Sequence, residues 1–119
     1  MAYSLTDHIH EREAGRHLSK LLQSSGSDTD ARVKVAFVPT VAPWFSGILM
    51  VLSAPLTKNV VARDVKAMYE ELYKGEKLIR VKSEVPLLKD VEGKHGWTVG
   101  GFQVHSEGGR VVVVVSLYF

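Results

Sequence analysis

The stretch Arg110-Val111-Val112-Val113-Val114-Val115-Ser116-Leu117-Tyr118-Phe119 decides the fold class. β-Branched valines favour a strand. Five valines in a row lack the polar alternation of a strand with one solvated face, so this strand is predicted to be buried on both faces. Helices are expected to cover one face, and something outside the chain the other. The turn signal Glu107-Gly108-Gly109 joins the strand to Trp97–His105 in a hairpin.

Working outward, apolar periodicity predicts two amphipathic helices. The first runs from Thr6 to about Leu22, with Ser4 or Thr6 as its cap, and the second from about Val61 to Lys74. Three further strands are predicted at Arg32–Val38, Gly47–Ala54 (a central strand) and Leu78–Val81. The order α-β-β-α-β-β-β predicts an α+β fold, with a largely antiparallel or mixed sheet and both helices packed on one face.

Composition fits one soluble domain spanning residues 1–119. The chain has 15 basic and 13 acidic residues and a net charge of +2, so no strong field predicts a nucleic-acid partner. No apolar run approaches the ~20 residues of a membrane span, and the N-terminus is not a signal peptide. The absence of cysteine excludes disulfides, thiolate metal sites and a cysteine nucleophile within this sequence.

Histidines near the N-terminus form the first candidate site. His10, Glu13 and His17 lie three and four residues apart, hence on one helix face, with His8 at the helix start. The pattern is compatible with a metal site, with a pocket for an anionic substrate, or with a plain solvated face. No H-E-x-x-H signature is present, so no metal ligand is assigned.

Two loops are the other candidates. The loop Pro39–Gly47 has two prolines and a glycine around Trp44 and Phe45, and its hydroxyl groups are those of Thr40 and Ser46. It is either a functional loop or a bulge between two strands. Gly93–Trp97 is either an anion-binding turn, with Lys94 and His95 as donors, or a simple turn. Gly100-Gly101 indicates a bulge or a close backbone approach. No glycine-rich phosphate fingerprint and no βαβ unit is recognised, so any nicotinamide cofactor must bind elsewhere.

These clusters, in this order, resemble the C-terminal domain of N-acetyl-γ-glutamyl-phosphate reductase, especially its fungal forms. The resemblance covers nearly the whole chain. The segments that carry it are Tyr3–Glu13, Phe37–Val38–Pro39, Ala42–Pro43–Trp44–Phe45, Gly47–Ile48, Val91–Trp97 and the final valine run.

What the resemblance implies can be carried over residue by residue. His8, His10 and Glu13 match a His-x-His-x-x-Glu segment that faces the substrate in the family. The loop Pro39–Gly47 matches a Pro-His-x-x-Pro-x-x-Arg-Gly motif, whose histidine is the acid/base partner of the catalytic cysteine in many members. Threonine and serine replace that histidine and arginine at positions 40 and 46.

The two replacements put the catalytic role of the loop in doubt. Thr40 cannot act as a base at neutral pH, and Ser46 cannot pair bidentately with an anion. Either other residues, among them His95, take over, or this copy is inactive. No catalytic residue is assigned. Ser46, Lys94 and His95 join the histidine segment as substrate-binding candidates.

The resemblance implies the following function. The parent enzyme reduces N-acetyl-γ-glutamyl phosphate to N-acetylglutamate 5-semialdehyde with NADPH, in arginine biosynthesis. This chain would be one excised domain, inactive alone and binding no cofactor, that supplies substrate contacts and a homo-oligomer interface beside a Rossmann domain of the same polypeptide. A fungal enzyme would reside in the mitochondrial matrix, otherwise in the cytoplasm. The alternatives are a non-catalytic assembly or regulatory module, or a small-ligand-binding α+β domain.

Overall fold

The computed structural model describes residues 1–26, 30, 32–43, 46–91 and 95–118, with the backbone alone at positions 90 and 91. The chain divides into two compact units, Met1–Pro43 and Trp44–Phe119, and each is described by itself. The predicted α+β class with a mixed sheet is confirmed.

The elements, in chain order, are α1 (Ile9–Ser24), β1 (Ile48–Pro55), α2 (Ala62–Leu72), β2 (Ile79–Val81), α3 (Leu88–Val91), β3 (Gly96–Val104) and β4 (Arg110–Tyr118). The four strands form one sheet in the order β1-β4-β3-β2. β4 is antiparallel to both of its neighbours, whereas β2 and β3 are parallel. The short α3 lies between these two parallel strands in the sequence, so the expectation of no βαβ connection was wrong.

The valine strand lies inside the sheet and is covered on both faces, as predicted. Val111, Val113 and Val115 point to the face covered by α2, where they pack with Val65 of that helix. Val114, on the opposite face, is only 9% exposed. The strand is hydrogen-bonded on both edges and covered on both faces, so neither face exposes side chains to water. This explains why polar residues do not alternate with the valines.

The chain itself covers much of the face opposite α2. Residues 82–91, here called the crossing segment, leave β2 and pass over β3, and α3 at their end contacts β4 and β3. Pro86 in this segment is fully buried. A methyl group on Gly100 would lie 2.3 Å from the carbonyl oxygen of Glu84, so only glycine admits the segment there. The expectation that material outside the chain covers this face is therefore wrong for this part of it.

Gly100 and Gly101 serve different purposes within β3. Gly100 allows the close approach of the crossing segment. Gly101 has a φ of 67°, and the pairing of β3 with β4 shifts between Gly100 and Gln103, which marks a bulge. Both readings of this glycine pair, a bulge and a close backbone approach, are thus confirmed.

β1 is an edge strand, which corrects the prediction of a central strand. Among residues 46–118 its only strand partner is β4. Ile48, Leu49, Val51 and Leu52 are between 40% and 62% exposed. A run of apolar residues indicates that a strand is buried, but it does not indicate whether the strand is covered by elements of the same chain or by another molecule.

The unit 1–43 contains α1 and an extended segment instead of the strand predicted at Arg32–Val38. The segment keeps a two-residue alternation, with Val33, Val35 and Phe37 half-buried, but its backbone binds side chains of α1 instead of another strand. A two-residue alternation indicates an extended backbone with one covered face, and the covering element can be a helix as well as a neighbouring strand. The helix also begins later than predicted, after His8 instead of Ser4 or Thr6.

Replacing Gly100 with alanine tests the close approach of the crossing segment. Gly100 does not have a left-handed φ, so alanine strains no dihedral and only meets the Glu84 carbonyl. We expect the free energy of unfolding to fall by about 1–3 kcal/mol, the cost of overpacking. Urea denaturation followed by circular dichroism measures it. The comparison variant is Gly26→Ala, where nothing lies within 4 Å but φ is +79°, so that any loss of stability there reflects backbone strain and not overpacking. Native stability in Gly100→Ala would contradict the packing described.

Candidate functional site

The first candidate site surrounds the start of α1, and His8 is its N-cap. The backbone of His8 is extended, with φ −63° and ψ 141°, and its Nδ1 accepts a hydrogen bond from the backbone N–H of His10 at 3.1 Å. A neutral imidazole that accepts at Nδ1 carries its proton on Nε2. The cap therefore fixes the tautomer of His8 and leaves Nε2–H as its remaining donor.

An aromatic cluster forms around this cap. The ring of His8 lies 4.8 Å from that of His10 and 5.2 Å from that of Phe37, centroid to centroid. Tyr3 approaches His8 edge-on at 6.1 Å. His8 is half-buried while His10 is exposed. The structure thus brings two of the predicted site histidines together and supports them with Phe37.

Glu11, not Glu13, ties the extended segment to this cluster. The Oε1 of Glu11 accepts a hydrogen bond from the backbone N–H of Phe37 at 2.8 Å. A carboxylate acceptor makes this bond a charge-assisted one. Glu13 and His17 are exposed on α1. Sequence reasoning missed Glu11 because its partner lies 26 residues away in the chain and no local spacing signals it.

The same segment is held further along α1. The Oγ of Ser19 accepts a hydrogen bond from the N–H of Val33 at 2.7 Å. Gly15 is buried, and a methyl group there would lie 3.0 Å from the carbonyl oxygen of Val33. Side chains of α1 therefore take the place that a neighbouring strand would occupy, and they fix Phe37 beside the histidines.

Thr40 lies in a short two-stranded ladder within the unit 1–43. It forms an isolated antiparallel bridge with Ala2, and the N–H of Tyr3 donates to the carbonyl of Pro39 at 3.0 Å. Tyr3 is also the residue whose ring meets His8. Thr40 itself is exposed. The backbone pairing with the N-terminal residues connects its segment to Tyr3, whose ring contacts His8 in the histidine cluster.

The remaining candidates belong to the unit 44–119. Ser46 is half-buried and His95 is exposed. Trp44, Phe45 and Lys94 lie outside the described residues. The backbone carbonyl of His95 accepts a hydrogen bond from Nη1 of Arg80 at 3.5 Å. Arg80 was not singled out in the sequence, because an arginine in a short strand gives no motif.

Neither a metal centre nor a membrane span is found in the part of the chain that the structure describes. No three His, Asp or Glu side chains there are grouped so that they could hold a metal ion. No helix of that part is long and apolar enough to cross a bilayer.

The described part of the β2–β3 connection does not fit a dinucleotide. The turn after β2 reads Lys82-Ser83-Glu84, without the glycines that let a pyrophosphate approach the backbone. The helix in the β2–β3 connection has only four residues, which is too short to present a dipole comparable to that of a dinucleotide-binding helix.

Comparison with known proteins agrees with the fold. The family model for "Semialdehyde dehydrogenase, dimerisation domain" matches residues 1–117. The chain therefore belongs to the semialdehyde dehydrogenase dimerisation-domain family.

Its relatives are fungal and bacterial. The chain is 45% identical over 115 residues to "Protein arg11, mitochondrial" of Schizosaccharomyces pombe and 42% identical over 116 residues to "Protein ARG5,6, mitochondrial" of Candida albicans. It is 38% identical over 117 residues to "N-acetyl-gamma-glutamyl-phosphate reductase" of Xanthomonas campestris pv. campestris. These matches include 97–98% of the chain but only 12% of each fungal relative and 33% of the bacterial one. The resemblance drawn from the motifs is confirmed.

The cap at His8 can be tested by substitution. His8→Ala removes the Nδ1 acceptor and should weaken α1 by about 0.5–2 kcal/mol, the usual cost of losing a capping side chain. His8→Asn supplies another capping oxygen and should keep most of that stability. Hydrogen exchange of the His10 and Glu11 amides measures the effect. Equal protection in His8→Ala and the unchanged chain would mean that the side chain does not cap the helix.

Proposed function

We propose that this chain is the dimerisation domain of an N-acetyl-γ-glutamyl-phosphate reductase, and that residues 1–119 form one domain of that longer polypeptide. The observation that carries the proposal is the family match over residues 1–117 together with relatives of that printed name. The parent enzyme would reduce the acyl phosphate to the semialdehyde. The chain has no cysteine for a thioester, so a separate Rossmann domain with the cysteine and NADPH would complete the reaction.

The location of the parent follows its source. Relatives from Schizosaccharomyces pombe, Candida albicans and Neurospora crassa all carry the word "mitochondrial" in their names. A fungal parent would accordingly work in the mitochondrial matrix, and a bacterial one in the cytoplasm.

The surface of β1 supports a role in subunit association. The strand Ile48–Pro55 carries no charged residue, proline or bulge along its first seven positions, the features by which proteins usually block an open sheet edge. Its exposed side chains are apolar on both faces, Leu49 and Val51 on one and Ile48 and Leu52 on the other. Because the family is described by dimerisation, we assign this surface to a second copy of the chain.

The association surface is tested with Val51→Asp. Val51 is 62% exposed, so a charge there costs the fold little but would be desolvated in an interface. We expect the unchanged chain to sediment as a dimer or larger species, and Val51→Asp to dissociate at least tenfold more readily. Met68→Asp on α2, where Met68 is 66% exposed, is the matched control.

Two outcomes would contradict this assignment. One is a compact monomer of the unchanged chain at high concentration in analytical ultracentrifugation. The other is equal weakening by Met68→Asp and Val51→Asp, which would reflect a general effect of added charge instead of a contact at β1.

A second role is supported by the cluster at the start of α1. We propose that His8 and His10 contact the anionic end of an N-acetylglutamyl substrate. The amides of His10 and Glu11 are already engaged by the Nδ1 and the carbonyl of His8. Contacts to the anion would therefore come from the Nε2–H of His8 and the ring of His10. Glu13, Ser46, Lys94 and His95 stay proposed substrate-binding residues.

Binding is tested by chemical-shift titration with N-acetylglutamate. With only one domain present, affinity should be weak, about millimolar, or about −4 kcal/mol. We expect saturable shifts at His8 and His10 that His10→Gln reduces and His17→Gln, at an exposed histidine of the same helix, does not. Shifts that leave His8 and the first helical amides unmoved would show that this face only meets solvent.

A further inference from the structure

A row of polar side chains crosses three strands on the face covered by the crossing segment. Arg80 of β2 is the register partner of Thr98 of β3, and Thr98 is the register partner of Ser116 of β4. Paired residues of adjacent strands point to the same face. Thr98 is 5% exposed and Ser116 is 0% exposed. This face of the sheet thus contains buried hydrogen-bonding groups where the α2 face contains valines.

The hydrogen bonds of this row are incomplete. Nε of Arg80 donates to Oγ1 of Thr98 at 3.3 Å, and Nη1 donates to the carbonyl of His95 at 3.5 Å. Nη2 of Arg80 and Oγ of Ser116 are buried and have no hydrogen-bond partner among the residues that the structure describes. The large majority of buried polar atoms in proteins have a partner. The described residues therefore supply no acceptor for Nη2 of Arg80, which leaves this donor for a group from outside them.

The charge of Arg80 narrows down what that occupant is. A guanidinium stays protonated in proteins, and both of its acceptors here are neutral. The one salt bridge found in the described part of the chain joins Lys66 to Glu70, so it does not involve Arg80. Arg80 as a whole is half-buried. A water molecule could accept from Nη2, but it would not compensate the charge of the guanidinium, whereas an anion would satisfy both the hydrogen bond and the charge.

We propose that Arg80 anchors a small oxyanion, a phosphate or carboxylate group, between β2 and the N-terminal end of β3. The planar fork of the guanidinium suits two oxygens of such a group, with Nη2 and the exposed side of Nη1 as donors. Thr98 holds Nε and thereby fixes the plane of the fork. The site uses only residues of the unit 44–119 and needs neither α1 nor the association surface.

The experiment follows the Arg80 Nε–Hε resonance of the ¹⁵N-labelled chain during titration with inorganic phosphate at constant ionic strength. We expect a saturable shift of this resonance and of the His95 amide. Arg80→Lys keeps the charge but loses the fork and should weaken phosphate binding at least tenfold; Arg80→Gln should abolish it. Arg63→Gln is the control, because Arg63 is an exposed arginine of α2.

The unchanged chain alone decides the proposal if the Arg80 variants do not fold. A shift that rises linearly with phosphate, without saturation, would overturn it. A second result would also overturn it: the Arg80 Nε–Hε resonance does not respond to phosphate but shifts when Asp90→Asn or Glu92→Gln is introduced. The counter-charge of Arg80 would then be a carboxylate of the chain itself. A parallel titration with acetate separates the sources: a response to acetate alone identifies a carboxylate ligand, and a response to phosphate alone a phosphoryl group.

Discussion

Burial of the valine strand on both faces is the constraint on which the unit 44–119 depends. A strand with five consecutive valines gains stability only if both faces are removed from water. Two hydrogen-bonded neighbours, β1 and β3, flank it. α2 covers the face of Val111, Val113 and Val115. On the other face the crossing segment covers part of the sheet. A short stretch with little regular secondary structure thus contributes to the burial of the valine strand.

That covering has chemical consequences. The crossing segment can reach the sheet only because Gly100 has no side chain, and its carbonyl at Glu84 occupies the space of a Cβ. On this face of the sheet Thr98 and Ser116 are buried and Arg80 is half-buried, whereas all three would be ordinary surface groups on an open sheet. Burial strengthens the electrostatic interactions of such groups because fewer water molecules compete for them. The packing of this face thus leaves polar side chains partly removed from water.

The unit 1–43 is built on a different principle. Its extended segment satisfies backbone groups with side chains of α1, through Ser19 and Glu11. These bonds set Phe37 against His8, and the cap made by His8 orients the imidazole. Candidate substrate contacts are therefore held on a helix and not on a free loop, which lowers the conformational entropy lost when a ligand binds.

The sequence by itself determined the fold class, both long helices, the four sheet strands and the family. Period, β-branching and turn residues are local properties, and family motifs are strings of residues. It also placed His8 and His10 at the start of a helix. Tertiary structure decided that Ile48–Pro55 lies at an edge of the sheet and that Arg32–Val38 packs on α1 instead of joining a sheet. It also decided that Glu11 binds the backbone of Phe37 and that Arg80 binds Thr98. Each of these features depends on a partner that is distant in the chain. Apolar alternation in a sequence indicates that one face of a segment is covered, but it does not indicate which element covers it.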